Sequence, residues 1–369
     1  MKLATTSLGL LIAIVSLLYV PVFASEGELA GRGKGEDKAE IQRNDHRIKG
    51  EPGIELFVRE VRSNKNSNKT PLLLIHGARV PGIPSFDLQV PNGSLAEDLA
   101  EHGFPVYIMD VRGYGRSTRP PEMSELRSSH PPLVRSTEAV RDLSVVVDWI
   151  QKRNKGMKVA ILGWATGGLW AGHYTTMHPD HVRLLILYNT IYGGSSNHPT
   201  LGSGSPMEDP NHPGRFNEEA YGAYRLNTAS SLLPSWDSSI PVEDKSEWRD
   251  PRIVEAYVKE SMASDETGGD RMPESFRSPS GAMEDTYYLA SGRQLWDASL
   301  IRVPTVVIQS EYDFWSRHED RERLVEQLVH APYVKDVLIE GATHYAHLDR
   351  PDKGRNQFIE EVLRAMNEN

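Results

Sequence analysis

The stretch "ILGWATGG", residues 161–168, decides how this chain folds. Its first half is apolar and its second half small, as in a buried strand that turns sharply into a helix. Gly163 and Gly167 stand two residues either side of position 165. A strained strand-to-helix turn needs glycine at both places, because a side chain at either flank has no room. Such a turn holds up its central residue for attack on a substrate. The central residue here is Ala165, whose methyl group cannot attack.

Similar apolar runs lie on both sides of this stretch. "PLLLIHG" (71–77), "FPVYIMD" (104–110), "MKVAILG" (157–163), "VRLLILY" (182–188), "VPTVVIQ" (303–309) and "VKDVLIE" (334–340) are continuous in the way strands buried on both faces require. "GIELFVREV" (53–61) alternates and predicts a strand at the antiparallel edge. Helical periodicity falls between them, at 94–102, 137–150, 166–177, 319–329 and 352–366. In the second of these, Val140, Leu143, Val146, Val147 and Ile150 share one face. Alternating strands and helices imply an α/β fold: a mostly parallel central sheet with helices on both faces. Residues 191–299 break the rhythm. They hold no buried-strand run and are rich in Gly, Ser, Pro and acids, with Trp236, Trp248, Tyr287, Tyr288 and Trp296 among them. An insertion of that length predicts a lid packed over the carboxyl edge of the sheet.

The 369 residues carry a formal charge of −10 and no strongly basic run, which argues against a nucleic-acid partner. With no cysteine there is no disulfide, thiolate chemistry or cysteine-based metal site. Lys2 precedes the apolar run Leu8–Phe23, and Val22-Phe23-Ala24 suits cleavage after Ala24. Residues 1–24 therefore read as a signal peptide that leaves no stable membrane anchor, and the expected location is a bacterial periplasm or medium. Residues 25–45 are charged and glycine-rich and predict a flexible leader. The folded core is expected over 46–190 and 300–369.

In an open parallel sheet, ligands gather at the carboxyl ends of the strands. "HGARVPG" (76–82) follows the first central strand and frees backbone N–H groups for a developing oxyanion. "DVRGYGRST" (110–118) reads as a braced structural loop. "SEYDFWSR" (310–317) offers Asp313 to orient an imidazole, with Glu311 as the alternative. "GATHYAHLDRP" (341–351) offers His344, with His347 as the alternative. The order of elbow, acid and histidine, each at a strand's carboxyl end, belongs to one fold.

On these motifs, over about residues 46–369, the chain resembles the α/β-hydrolase superfamily. That resemblance implies an α/β-hydrolase fold and a serine-aspartate-histidine triad acting on ester bonds, with no metal or other cofactor. It puts Ala165 at the nucleophile position, Asp313 as the acid and His344 as the base. It makes the N–H groups of Ala78 and Thr166 the oxyanion donors. Arg79, Trp164, Phe314 and Trp315 are the expected contacts to a small ester-like substrate. Arg79 and Arg317 flank the expected mouth and read as solvated arginines, with an anionic ester as the alternative. Two accounts fit Ala165: a serine replaced by alanine, or a natural relative that binds without turnover.

Overall fold

The computed structural model describes residues 40–64 and 68–369. The expected signal peptide, and the expected leader up to residue 39, lie outside those residues. Among the described residues there are ten strands: β1 (Ile41–Lys49), β2 (Glu55–Ser63), β3 (Leu72–Ile75), β4 (Val106–Met109), β5 (Val159–Trp164), β6 (Val182–Tyr188), β7 (Tyr224–Asn227), β8 (Phe276–Pro279), β9 (Thr305–Tyr312) and β10 (Val334–Thr343). Eight of them build one sheet in the order β1-β2-β4-β3-β5-β6-β9-β10. The β1/β2 and β2/β4 pairs are antiparallel and the rest are parallel.

The continuous apolar runs form the centre of this sheet. Every residue of β3, β4 and β5 is buried, so each strand needs apolar side chains on both faces. Alternate side chains feed two separate cores. Leu73, Ile75, Ile161 and Leu185 pack into one, while Leu72, Leu74, Leu162 and Ile186 pack into the other. The helix Ser136–Arg153 lies on the first side, and the closing helix Asn356–Glu368 on the second, through Phe358 and Val362. The helix Leu95–Glu101 starts where Ser94 accepts a hydrogen bond from the Glu97 N–H, an N-cap that satisfies one free donor.

Two boundaries differ from the sequence expectation. Strand β1 begins at Ile41, inside the stretch expected to be flexible to residue 45. Its hold is mainly electrostatic and backbone-made, with Ile48 alone buried in a core. Arg43 pairs with Asp87 and Glu97, and Asp45 pairs with Arg59 on β2. For the same reason β2 is not the edge; β1 covers it.

Between β6 and β9 the chain leaves the sheet. This segment holds the short helices Glu218–Tyr221 and Pro234–Ser239, longer helices at Pro251–Met262 and Gly281–Ala290, and the antiparallel pair β7/β8. Its aromatic residues are anchored. Trp236 is fully buried and donates from Nε1 to Asp349 at 2.9 Å. Among the described residues, no helix is long and apolar enough to cross a membrane.

Candidate active site

Ala165 stands at the junction of β5 and the helix Thr166–Met177, with φ 53° and ψ −117°. That region is strained for any residue with a Cβ, by roughly 1–3 kcal/mol. The glycines beside it are sterically required. A Cβ on Gly163 would lie 2.3 Å from the carbonyl oxygen of Gly167. One on Gly167 would lie 2.3 Å from that of Ile75. The elbow is thus fully formed around a side chain with no reactive atom.

Asp313 and His344 each follow the last residue of a strand, β9 and β10 respectively. Strand β10 runs further than its apolar stretch suggests, past a register shift between Ile339 and Thr343. His344 Nδ1 lies 2.5 Å from Asp313 Oδ1. The carboxylate also accepts from the backbone N–H groups of Trp315 (2.9 Å) and Ser316 (3.1 Å) and from the Ser316 hydroxyl (2.5 Å). A carboxylate held at four points has one orientation to offer. The imidazole is fixed from its other side by its own backbone: the His344 carbonyl accepts from Trp164 Nε1, Tyr188 Oη and Asn189 Nδ2, each at 3.1 Å.

The two alternatives are placed elsewhere. Glu311 is exposed and accepts from the Gly341 N–H. His347 is buried beneath the site among Phe86, Trp164 and Tyr188, where burial pushes its pKa well below the usual histidine range. His76 is buried too. Its Nδ1 faces the Gly77 carbonyl at 2.7 Å and its Nε2 accepts from the Val111 N–H at 3.2 Å. Those contacts fix it as a neutral tie between the ends of β3 and β4.

A cavity of about 280 Å³ opens over the elbow, near the lower end of small-molecule sites. Ala78, Thr166, Ala165 and His344 all line it, as do Arg79, Trp164, Phe314 and Trp315. Thr166 occupies the first helical position, where a backbone N–H has no intrahelical acceptor. The Ala78 loop is pinned by its carbonyl, which accepts from Tyr114 Oη at 3.0 Å and Arg225 Nη2 at 2.7 Å. The "DVRGYGRST" loop is braced as expected. Asp110 accepts from the N–H groups of Gly82 and Arg116, and Arg112 grips Asp142.

Arg317 is not at this mouth. It caps the helix His318–Gln327, pairs with Asp320 and donates to Ser195. Leu201, Arg225, Tyr257 and Met283 do line the cavity, all from the segment between β6 and β9, and Tyr345 joins them. Sequence reasoning missed these residues, as it missed Asn189. No period or motif marks them, and only the packing of the segment brings them in. Among the described residues, no group of three or more histidines and acids is placed to hold a metal.

An elbow, an acid and a histidine at successive carboxyl ends of a largely parallel sheet define an α/β hydrolase. The chain has the α/β-hydrolase fold, and residues 70–232, a little under half of it, match the family model described as the alpha/beta hydrolase fold. It is 24% identical over 311 residues to the human (Lyso)-N-acylphosphatidylethanolamine lipase, covering 81% of each chain. It is 34% identical over 125 residues to the human 1-acylglycerol-3-phosphate O-acyltransferase ABHD5, but this match spans only 31% of that protein. The esterase EaEST from Exiguobacterium antarcticum superposes with a TM-score of 0.55 at 17% identity, over 88% of this chain and 100% of the esterase.

These relatives correct the expected location. The curated matches are animal proteins, from cells with no periplasm, and this overturns the assignment to a bacterial periplasm or medium.

Proposed function

We propose that the site is built for acyl transfer from an ester, and that the chain as it stands binds ester-like ligands with very little turnover. One observation carries this reading: the Asp313–His344 contact opens onto the same cavity as a strained elbow that lacks only its nucleophile. The names of the relatives, a lipase, an acyltransferase and an esterase, agree on acyl chemistry.

With serine in place of Ala165, the steps follow from the positions. His344, its Nδ1–H donating to Asp313, takes the hydroxyl proton on Nε2 as the serine oxygen attacks the ester carbonyl. The N–H groups of Ala78 and Thr166 hold the oxyanion. The C–O bond to the alcohol then breaks, and His344 returns the proton to the leaving oxygen. Water repeats the sequence on the acyl-enzyme. Residues 191–299 serve as the lid that shapes the cavity. At about 280 Å³ the cavity suits a short acyl group, and a long chain would need the lid to move.

The test is Ala165→Ser, assayed against short p-nitrophenyl esters. Loss of the serine in such a triad costs on the order of a million-fold in turnover, so a gain of at least about a thousand-fold is expected. A folded Ala165→Ser protein with no gain, but with retained ester binding, would instead support a second reading. In that reading the chain is a natural ligand-binding member of the superfamily. The strain kept at Ala165 without a reactive atom to present is the observation in its favour.

A further inference from the structure

We infer that the cavity holds a dedicated anion subsite, formed by Arg79 and Arg225, for a carboxylate or phosphate group carried a short distance from the ester carbonyl. The word "ester" rests on the reading above; the anion does not.

Both guanidinium-bearing residues line the cavity, and among the described residues no carboxylate lines it with them. Acidic residues outnumber Lys and Arg by 51 to 41, so acids are not scarce in this chain. Ion pairs are common, yet among the described residues neither Arg79 nor Arg225 makes one. Arg79 donates from Nη1 to the Ser231 carbonyl at 2.8 Å. Arg225 donates from Nη2 to the Ala78 carbonyl at 2.7 Å. The Nε of Arg225 is buried and, among the described residues, has no hydrogen-bond partner. A buried charged donor left unpaired is costly, and its natural complement is an anionic oxygen.

Electrostatics agree with the geometry. Burial, reinforced by the nearby charge of Arg79, lowers the Arg225 pKa to about 10. Two guanidinium groups thus face one small cavity, and Arg225 remains protonated at neutral pH. An anion between them would relieve both the desolvation and the mutual repulsion.

Position sets the kind of ligand. Arg79 directly follows the oxyanion-loop residue Ala78, and Arg225 is bonded to the Ala78 carbonyl. The anion would therefore sit beside the reacting carbonyl, and a cavity of this volume allows only a short spacer. Half-esters of dicarboxylic acids and short acyl esters of glycerol phosphate share that chemistry.

The experiment reads binding to the unaltered chain, so it does not depend on turnover. Isothermal titration compares monomethyl glutarate with neutral dimethyl glutarate, and butyryl glycerol 3-phosphate with neutral monobutyrin. At low ionic strength at least one charged probe should bind tenfold or more tighter than its neutral partner. The pair that shows the preference tells carboxylate from phosphate. In Arg225→Gln and in Arg79→Gln that ratio should fall by tenfold or more, and Arg225→Lys should restore part of it. A residue that only braced the Ala78 loop would weaken charged and neutral probes alike and leave the ratio standing. If Arg225→Gln does not fold, Arg79→Gln carries the test. The inference is overturned if neither charged probe is preferred by the parent chain, or if the ratio survives in the folded variants. An inactive Ala165→Ser protein that keeps the preference would refute the acyl-transfer reading and leave the anion subsite intact.

Discussion

Asp313 Oδ1 and His344 Nδ1 lie 2.5 Å apart, at the ends of neighbouring parallel strands. The contact assigns the Nδ1 proton of the imidazole to the carboxylate and leaves Nε2 for the cavity. In an Ala165→Ser background, Asp313→Asn should therefore lower kcat by on the order of ten-thousand-fold, by favouring the wrong tautomer. Glu311→Gln should leave kcat within about twofold, since Glu311 is exposed and accepts from the Gly341 N–H, away from His344. Steady-state kinetics on one p-nitrophenyl ester compares both. A larger loss from Glu311→Gln would reassign the acid.

Ala165 should respond to glycine in the opposite way to most alanines. Replacing alanine by glycine ordinarily loosens the unfolded chain and destabilises, by about 0.5–1 kcal/mol. At φ 53° and ψ −117° the alanine is itself strained, by roughly 1–3 kcal/mol. The net expectation for Ala165→Gly is a gain of about 1 kcal/mol, a rise in Tm of roughly 2–3 °C. A calorimetric Tm below the parent's would show that the elbow is relaxed.

The flanking glycines have no such freedom. Gly163→Ala would press a methyl group into the Gly167 carbonyl, which is backbone and cannot swing away. A loss of about 3 kcal/mol is expected, visible as a lower midpoint in urea. Gly269→Ala, where an added Cβ meets nothing within 4 Å, should change that midpoint little.

Glu284 gives the fold a pH dependence of unusual sign. Burial in the helix Gly281–Ala290, opposed by Arg135 and reinforced by Asp285 and Glu218, raises its pKa from 4.5 to about 7. Between those two values the folded state holds the proton more tightly than the unfolded chain does. Its contribution is therefore full below pH 4.5 and is lost as pH rises through 7. Glu284→Gln keeps an acceptor for Arg135 and cannot titrate. Relative to the parent, the variant should gain stability across that window, by on the order of 1–3 kcal/mol at pH 7. Urea melts at pH 4.5, 6 and 7.5 measure the difference, and a constant difference would place Glu284 in contact with water.

The elements that could be read in advance are those whose physics is local. A run such as "LLLI", short and bounded by Pro71 and Gly77, reads as a strand buried on two faces, and Thr166–Met177 starts and stops where the glycine turn and the apolar pattern place it. Asp313 and His344 could be found because each sits just past such a run. Arg225 and Tyr257 could not, because their places depend on how distant segments pack; Asn189 also sits just past a run, but no motif marks an amide there as a partner of the His344 carbonyl. Strand β1 was hidden for a related reason: "IQRNDHRIK" holds to the sheet by backbone pairing and ion pairs, and shows no apolar pattern.

The antiparallel pair β7/β8 has two bonds to the loop after β3. Arg225 on β7 donates to the Ala78 carbonyl, and Ser278 on β8 donates to the Arg79 carbonyl at 2.6 Å. Without those two strands the Ala78 carbonyl would keep only the hydrogen bond from Tyr114 Oη, and the Arg79 carbonyl would lose that from Ser278. The segment that lines one side of the cavity and the loop after β3 are thus tied through one pair of strands, so a substitution on β7 or β8 should be felt at Ala78 and Arg79.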